Sequence, residues 1–334
     1  MPKYNITSEM MHKQLRFKGT IARKVVPYYK PSTFHAFNKL FKHIKIKKEK
    51  NICGINVRNV YINRGSDGPS AKLRLCIFSP AASGKYDKND TKMPAVVWFH
   101  GGGFGQGVPE AEFPFIKTLM NVHSCVFIVP EYRLSVDAKY PAAVDDCYAS
   151  LMYVKNSAEE LRININQIFV GGDSAGGGLA CAVAILARDR GEVNIAFQMP
   201  LYPMLDDRML TESSKHNDAP MWNTKSNECA WELYLGDLYQ TDNLSCYAAP
   251  GRLDDFSGLP PAATYIGTID PFYDETVNYF KRLSDEGIEI KIKCFEGCFH
   301  GFECFGSSTK PAKEAKKYID DVFEYAVKNY FKEN

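Results

Sequence analysis

The chain has 334 residues, 45% of them hydrophobic and 24% charged, with ten cysteines and a formal net charge of +2. Such values are ordinary for a globular protein with a large core, and the scattered cysteines favour free thiols in a reducing compartment over a disulfide scaffold. No apolar run approaches the roughly 18 residues of a membrane span and the N-terminus lacks an apolar signal-peptide core, so we expect a cytoplasmic protein without a membrane partner.

The N-terminal segment predicts amphipathic helices. Residues 1–50 hold 13 Lys and Arg against two Glu, a charge of +11 that leaves −9 for the rest of the chain. We interpret this basic segment as a solvated helix and linker docked on an acidic body, with binding to an anionic surface as the alternative. No motif supports nucleic-acid binding. Apolar side chains recur at roughly helical spacing in two groups, Ile6, Met10, Met11, Leu15 and Phe17, then Phe34, Phe37, Leu40 and Phe41.

From residue 52 onward the pattern predicts a sheet. Alternating stretches at 52–62 and 73–78 flank the turn-rich segment 64–70 and predict an antiparallel hairpin. Beyond it, short apolar strands alternate with helices, which predicts an α/β fold with a mostly parallel sheet and helices on both faces. The predicted strands are 94–99, 125–129, 168–170, 196–200, 262–269 and 289–295, and the main helices are 142–156, 177–188 and one at the C-terminus.

A small-residue cluster, Gly172-Asp173-Ser174-Ala175-Gly176-Gly177, lies between a predicted strand and an alanine-rich helix. Strand, turn and helix around Gly-x-Ser-x-Gly are typical of a nucleophile elbow, where flanking glycines lack bulk because strand and helix nearly touch. A phosphate-binding turn would need Gly-x-Gly-x-x-Gly or a lysine after the loop, and neither is present. Ser174 is therefore the candidate nucleophile, with Asp173 as a supporting residue.

A second motif, His100-Gly101-Gly102-Gly103, also follows a predicted strand. A tetrahedral acyl-transfer intermediate carries an oxyanion that needs preorganised N–H donors, and glycines let the backbone turn its amides inward. The expected oxyanion hole consists of the N–H groups of Gly102, Gly103 and Ala175, the residue after the nucleophile. His100 and Gly101 would support this loop. His100 as catalytic base is a disfavoured alternative, because it precedes the serine in chain order.

A serine hydroxyl needs a base that a carboxylate orients. Of the seven histidines, His300 follows the last predicted strand and a glycine, so it is the predicted base. Asp270 ends strand 262–269 and is the predicted acid. Asp274 stays as the alternative acid, although its position favours a capping role at the helix that starts after Pro271.

Three cysteines near the predicted base raise a rival hypothesis of a metal site. Cys294, Cys298, His300 and Cys304 lie within eleven positions. Zinc sites usually pair cysteines two to four residues apart and then repeat the pair, and alternate residues of a strand such as that of Cys294 face opposite sides. We therefore expect no metal and no organic cofactor.

Taken in chain order, the two glycine motifs and four further matches resemble one family. The pattern is similar to that of the hormone-sensitive-lipase-like branch of the α/β-hydrolases, the bacterial family IV carboxylesterases related to arylacetamide deacetylase, over most of the chain from about Val60. The resemblance implies an α/β-hydrolase fold with a small helical cap, and it implies the first Asp of Asp-Pro-x-x-Asp-Glu as the triad acid. The further matches are Glu131-Tyr132-Arg133-Leu134, Tyr140-Pro141-Ala142-Ala143 with Asp145, Asp270-Pro271 with Asp274-Glu275, and Phe299-His300-Gly301-Phe302.

The strand and helix alternation breaks between about residues 205 and 256, which the resemblance implies to be part of the cap. We predict cap helices in 1–45, a catalytic domain in 46–204 and 257–334, and a second cap part in 205–256. In the resembling family the cap roofs the active site and lines the acyl pocket. The candidate pocket residues are Phe104, Met221, Trp222 and Phe302.

The leading hypothesis is a serine carboxylic ester hydrolase that acts on small-molecule esters with short acyl chains through an acyl-enzyme. A deacetylase of acetylated sugars or small amides is one alternative. A non-catalytic ligand-binding relative is another, since a plant hormone receptor uses this fold without the catalytic histidine, but His300 and both oxyanion glycines are present here. A lipase acting at an oil surface would want secretion and an exposed apolar patch. A homodimer is one state that the sequence allows.

Overall fold

A computed structural model describes residues 6–25, 29–46, 50–64, 71–81 and 92–334. All but one residue of the predicted hairpin turn at 64–70 lies outside the described residues, as does the part of the basic segment at 47–49. On both sides of that turn the predicted hairpin is confirmed, because its two strands pair antiparallel along their whole length.

The described residues form one nine-stranded sheet with the order β1-β2-β3-β5-β4-β6-β7-β8-β9. The first three strands are antiparallel and join β5, and from β5 to β9 every pair is parallel. The predicted mostly parallel sheet is therefore confirmed. The strands are β1 (Lys50–Ile52), β2 (Ile55–Asn63), β3 (Lys72–Pro80), β4 (Met93–Phe99), β5 (Val126–Pro130), β6 (Ile163–Asp173), β7 (Phe197–Leu201), β8 (Ala262–Gly267) and β9 (Ile290–Phe295).

Helices cover the sheet in two groups, with α4 packed on α5 and α3 packed on α9. None of the helices in the described ranges is long and apolar enough to cross a membrane. The helices are α1 (Arg16–Val25), α2 (Pro31–Phe41), α3 (Phe113–Val122), α4 (Ala142–Asn156), α5 (Ala175–Arg190), α6 (Thr224–Leu235), α7 (Tyr273–Asp285), α8 (Phe302–Phe305) and α9 (Lys310–Asn329).

The N-terminal helices differ from the sequence prediction. Residues 6–15 form turns, and the first helix begins only at Arg16. Met11 and Leu15 are nevertheless buried, whereas Phe17 inside the helix is 78% exposed. The apolar spacing therefore marks buried side chains of an irregular segment and not a helix. A hydrogen bond from the N–H of His12 to the carbonyl of Gly297 holds this segment in place. The second predicted helix is confirmed as α2.

The two predicted cap segments contact each other near the carboxyl ends of the strands. Tyr29, which precedes α2, packs its ring 5.2 Å from that of Trp222. Its N–H donates to the hydroxyl of Ser226 in α6 at 2.9 Å. The segment 205–256 contains α6 and otherwise mostly turns, as the break in alternation predicts. The domain boundaries themselves stay a prediction.

Replacing Gly176 with alanine should destabilise the fold strongly. An added Cβ would lie 2.0 Å from the carbonyl oxygen of Phe99 and 2.6 Å from that of His100, both backbone atoms of the neighbouring strand and loop. We expect a loss of about 3 kcal/mol or more in the free energy of unfolding, at the upper end for overpacking, measured by chemical denaturation. Gly191→Ala is the control, because its Cβ meets no atom within 4 Å and only its left-handed backbone conformation costs about 1–2 kcal/mol. Equal losses in the two variants would contradict the crowding argument.

Candidate active site

Ser174 lies on a sharp turn between β6 and α5. Its backbone adopts φ 55° and ψ −120°, a left-handed conformation that a serine occupies only under constraint. Its N–H donates to the carbonyl of Leu201 on the neighbouring strand at 2.9 Å. A Cβ on Gly172 would come within 2.4 Å of the carbonyl oxygen of Gly176, so both flanking positions require glycine. The predicted elbow of strand, turn and helix is present.

Three side chains form a continuous hydrogen-bonded relay. The Oγ of Ser174 is 2.8 Å from Nε2 of His300, and Nδ1 of His300 is 2.8 Å from Oδ2 of Asp270. The other oxygen of Asp270 accepts the N–H of Phe272 at 2.9 Å, which fixes the carboxylate at the start of α7. Ser174 is 5% exposed and His300 8% exposed. The fold thus brings His300 into direct contact with Ser174, 126 positions away in the chain, and with Asp270, 30 positions away.

The pKa of His300 lies above its ordinary value. Burial by itself would lower the pKa, because it disfavours the imidazolium, but the charge and hydrogen bond of Asp270 outweigh it. The carboxylates of Glu303 and Asp173 act in the same direction. The imidazole of His300 is therefore a better proton acceptor than an equally buried histidine without a carboxylate partner would be.

The loop after β4 contains the two glycines whose N–H groups are the predicted oxyanion donors. Gly102 and Gly103 have φ values of 115° and 59°, which favour glycine. Across the described part of the chain, no hydrogen bond is donated by the N–H of either residue. Ala175 is the first residue of α5, so its N–H has no acceptor within the helix, and the helix dipole favours negative charge there.

His100 lies under this loop and does not reach the serine relay. Its ring stacks on Tyr132 at 4.2 Å, and Nδ1 is 2.9 Å from the carbonyl oxygen of Gly101. The hydroxyl of Tyr132 donates to the carbonyl of His100 at 2.8 Å. Burial lowers the pKa of His100 to about 4, so the ring is neutral and Nδ1 donates. These contacts favour the supporting position over the alternative of a catalytic base.

Asp173 connects the two motifs. Its Oδ1 accepts the N–H of Gly101 at 2.9 Å, which ties the elbow to the glycine loop. Burial, with the nearby charge of Glu303, raises the pKa of Asp173 to about 6. Burial and the charge of Asp173 likewise raise the pKa of Glu112, whose carboxylate accepts the indole N–H of Trp98.

Two residues beside His300 were not found by the sequence analysis. The hydroxyl of Tyr202 donates to Oε1 of Glu303 at 2.6 Å, and the ring of Tyr202 meets the ring of His300 edge-on at 5.1 Å. Tyr202 directly follows β7, and Glu303 lies three residues after His300. A search for polar residues at every strand end would have found Tyr202.

The four candidate pocket residues divide into two pairs. The ring of Trp222 lies 6.1 Å from that of His300, and its Cζ2 and Cη2 atoms would contact a Cβ placed on Gly103. Met221 precedes it in a left-handed conformation and is half-buried. By contrast, the ring of Phe104 stacks on Tyr234 at 4.0 Å, and that of Phe302 packs on Tyr265 and Phe295. Phe104, Trp222 and Phe302 are all buried, and Trp222 differs in that its ring lies beside that of His300. The pocket role of the four residues stays a prediction.

In the described part of the chain, Asp274 and the histidine of the cysteine-rich group are engaged in other contacts. Asp274 lies in the first turn of α7, but its Oδ2 accepts the N–H of Ser213 and holds the segment after β7 instead of capping its own helix. Both ring nitrogens of His300 are engaged by Ser174 and Asp270, so the histidine of the cysteine-rich group is not available as a metal ligand.

Comparisons with known proteins agree with this geometry. A family model described as alpha/beta hydrolase fold matches residues 96–304, which include the serine and the histidine of the relay. The chain belongs to this family. Within the α/β hydrolases it lies in the hormone-sensitive-lipase-like branch, and it is a carboxylesterase by class.

Several of its relatives and structural neighbours carry esterase names. Esterase LipI of Mycobacterium tuberculosis is 29% identical over 250 residues, 75% of this chain and 77% of the relative. Carboxylesterase NlhH of the same organism is 33% identical over 228 residues, 67% of this chain and 70% of the relative. A solved structure of a bacterial heroin esterase superposes with a TM-score of 0.84 at 30% identity, covering 96% of this chain and 99% of that one.

The acid limb of the pH–rate profile should move when Asp270 loses its charge. A general base acts in its neutral form, so kcat/KM falls as the pH drops through the pKa of His300. Asp270→Asn removes the main cause that raises this pKa and leaves burial, so the limb should move to lower pH while the plateau rate falls by orders of magnitude. Asp274→Asn is the matched control and should leave the limb in place. An unmoved limb in Asp270→Asn, or one moved to higher pH, would contradict the assignment.

Proposed function

We propose that the protein hydrolyses small esters with short acyl chains through an acyl-enzyme on Ser174. His300 is the general base and acid, Asp270 orients it, and the N–H groups of Gly102, Gly103 and Ala175 form the oxyanion hole. The observation that carries the proposal is the relay itself, with 2.8 Å from Oγ to Nε2 and 2.8 Å from Nδ1 to the carboxylate. Hydrogen bonds on both ring nitrogens orient the imidazole for proton transfer from the hydroxyl.

In the acylation step, Oγ of Ser174 attacks the ester carbonyl carbon while its proton passes to Nε2 of His300. The carbonyl oxygen becomes the oxyanion, which the N–H groups of the glycine loop and the start of α5 stabilise. The C–O bond to the alcohol then breaks, and the Nε2 proton passes to the leaving alkoxide. The alcohol departs and the acyl group stays on Ser174.

In the deacylation step, water occupies the position that the alcohol has left. His300 takes a proton from this water at Nε2 as the oxygen attacks the acyl carbon, and the same donors hold the second oxyanion. Collapse breaks the bond to Oγ, and the imidazolium returns its proton to the serine. Throughout, the ionised Asp270 stabilises the imidazolium and keeps Nδ1 protonated.

The preference for a small acyl group rests on the aromatic walls beside the serine. Trp222 lies against both Gly103 and His300, and Tyr29 packs on Trp222 from the N-terminal segment. Phe34 of α2, which is fully buried, fills the space behind Tyr29. With rings of this size packed against the catalytic groups, little room is left for a long acyl chain near the carbonyl carbon.

Removing either the nucleophile or the base should abolish turnover. Ser174→Ala and His300→Ala should each lower kcat by about 10³-fold or more, since triad residues act as a unit. The rates are measured with a chromogenic aryl acetate, with His216→Ala as the control because that histidine is exposed. Either triad variant retaining a tenth of the wild-type rate would reject the proposed mechanism.

Activity on a series of aryl esters should be highest at the short end. We expect kcat/KM to peak between acetate and butyrate and to fall toward laurate, because Trp222 and Tyr29 limit the acyl pocket. Trp222→Ala should move the optimum to longer chains. Acetylated sugars and acetanilides assayed in parallel measure the deacetylase alternative, and a wild-type maximum at laurate would instead favour a lipase.

A further inference from the structure

The glycine loop adopts a backbone that it cannot hold by itself. Gly102, Gly103, Phe104 and Gly107 all have positive φ values, and Phe104 has a side chain that disfavours this conformation. Within the loop, the carbonyl of Gly102 accepts the N–H groups of Gly105 and Gln106, each at 3.1 Å. Such a strained segment persists only when surrounding groups determine its position.

One of those groups comes from α2. The amide of Asn38 forms two hydrogen bonds with the loop, with Nδ2 donating to the carbonyl of Gly105 at 2.9 Å and Oδ1 accepting the N–H of Gly107 at 3.3 Å. This pair of contacts fixes the orientation of the amide, because a flipped amide would place two acceptors and two donors face to face. Asn38 is 67 and 69 residues from its two partners, so the contacts depend on the docking of the helix.

The helix that carries Asn38 is itself anchored in the core. Phe34, one turn before Asn38, is fully buried, and its ring would lie 3.1 Å from a Cβ placed on Gly105. The N–H of Tyr29 just before the helix donates to Ser226 in α6. The two hydrogen bonds of Asn38 therefore connect a helix that is anchored in the core to a strained loop, and they hold that loop in place.

We propose that Asn38 is a positioning residue for the oxyanion hole: its amide sets the register of residues 105–107 and thereby the direction of the N–H groups of Gly102 and Gly103. This inference rests on the proposed function of those two N–H groups. The hydrogen bonds of the Asn38 side chain go to Gly105 and Gly107, and not to the relay of Ser174, His300 and Asp270. Its removal should lower the stabilisation of the oxyanion and leave binding of the ground-state ester nearly unchanged, because catalytic loss follows small displacements of preorganised donors.

The test compares three variants of the full chain. Asn38→Ala deletes both hydrogen bonds. Asn38→Asp keeps the size of the side chain and an acceptor for Gly107, but it faces a carboxylate oxygen toward the carbonyl of Gly105, so it remains informative if the alanine variant folds poorly. Lys39→Ala is the matched control, because this neighbouring side chain on α2 is exposed. Steady-state rates with an aryl acetate are divided by the number of active sites titrated with an aryl phosphonate.

We expect kcat per titrated site to fall about 10- to 100-fold in both Asn38 variants, with KM within about two-fold of wild type, since a misplacement of about 1 Å costs up to 10²-fold. The inhibition constant of a trifluoromethyl ketone, whose adduct with Ser174 carries an oxyanion, should rise by the same factor as kcat/KM falls. A purely structural role would lower the number of titrated sites and the denaturation midpoint and leave these two quantities unchanged.

Two failures remain distinguishable. A wild-type protein with no esterase activity and no phosphonate labelling at Ser174 would reject the proposed function. An active wild-type enzyme with Asn38 variants whose kcat per site and ketone inhibition match those of Lys39→Ala would reject the positioning role alone.

Discussion

The site depends on the close approach of two backbone segments, the end of β4 and the first turn of α5. Gly176 passes so near the carbonyl oxygens of Phe99 and His100 that no side chain fits between them. This approach brings the glycine loop beside Ser174, and the hydrogen bond from the N–H of Gly101 to Asp173 fixes the distance between the loop and the elbow. The strained φ of Ser174 follows from the same crowding, because the chain must reverse from strand to helix within one residue. The stability of the elbow and the placement of the proposed oxyanion donors therefore depend on the same close approach.

The sequence could predict this part of the site because each element has a local signature. Parallel strands are continuous apolar runs, and their carboxyl ends carry the functional residues. Asp270 follows β8 and His300 follows β9, so both could be predicted as site residues from their positions after strands. The relay of hydrogen bonds then confirms that the two side chains meet Ser174. The sheet could be predicted because the alternation of strands and helices is likewise a local sequence pattern.

The residues that sequence reasoning missed act through contacts without a local pattern. Asn38 reaches the glycine loop across 67 residues, and Tyr202 reaches Glu303 across 101. An asparagine in a helix or a tyrosine after a strand is unremarkable until the packing of the chain gives it a partner. In the N-terminal segment a local pattern was present but misleading. Met11 and Leu15 have helical spacing and are buried, yet they lie in turns that a hydrogen bond to Gly297 holds in place. Apolar periodicity reports burial more reliably than it reports backbone conformation.

The two buried histidines of the site show that the partners of a group, more than its depth, decide its chemistry. His100 and His300 are both buried, and burial acts to lower the pKa of each. At His100 the ring meets a carbonyl oxygen and the face of Tyr132, burial dominates and the imidazole stays neutral. At His300 a carboxylate lies 2.8 Å from Nδ1, and the imidazolium becomes the favoured form at a higher pH than in water. Of the two rings, only that of His300 lies within hydrogen-bond distance of both a hydroxyl and a carboxylate, which supports His300, and not His100, as the proposed base.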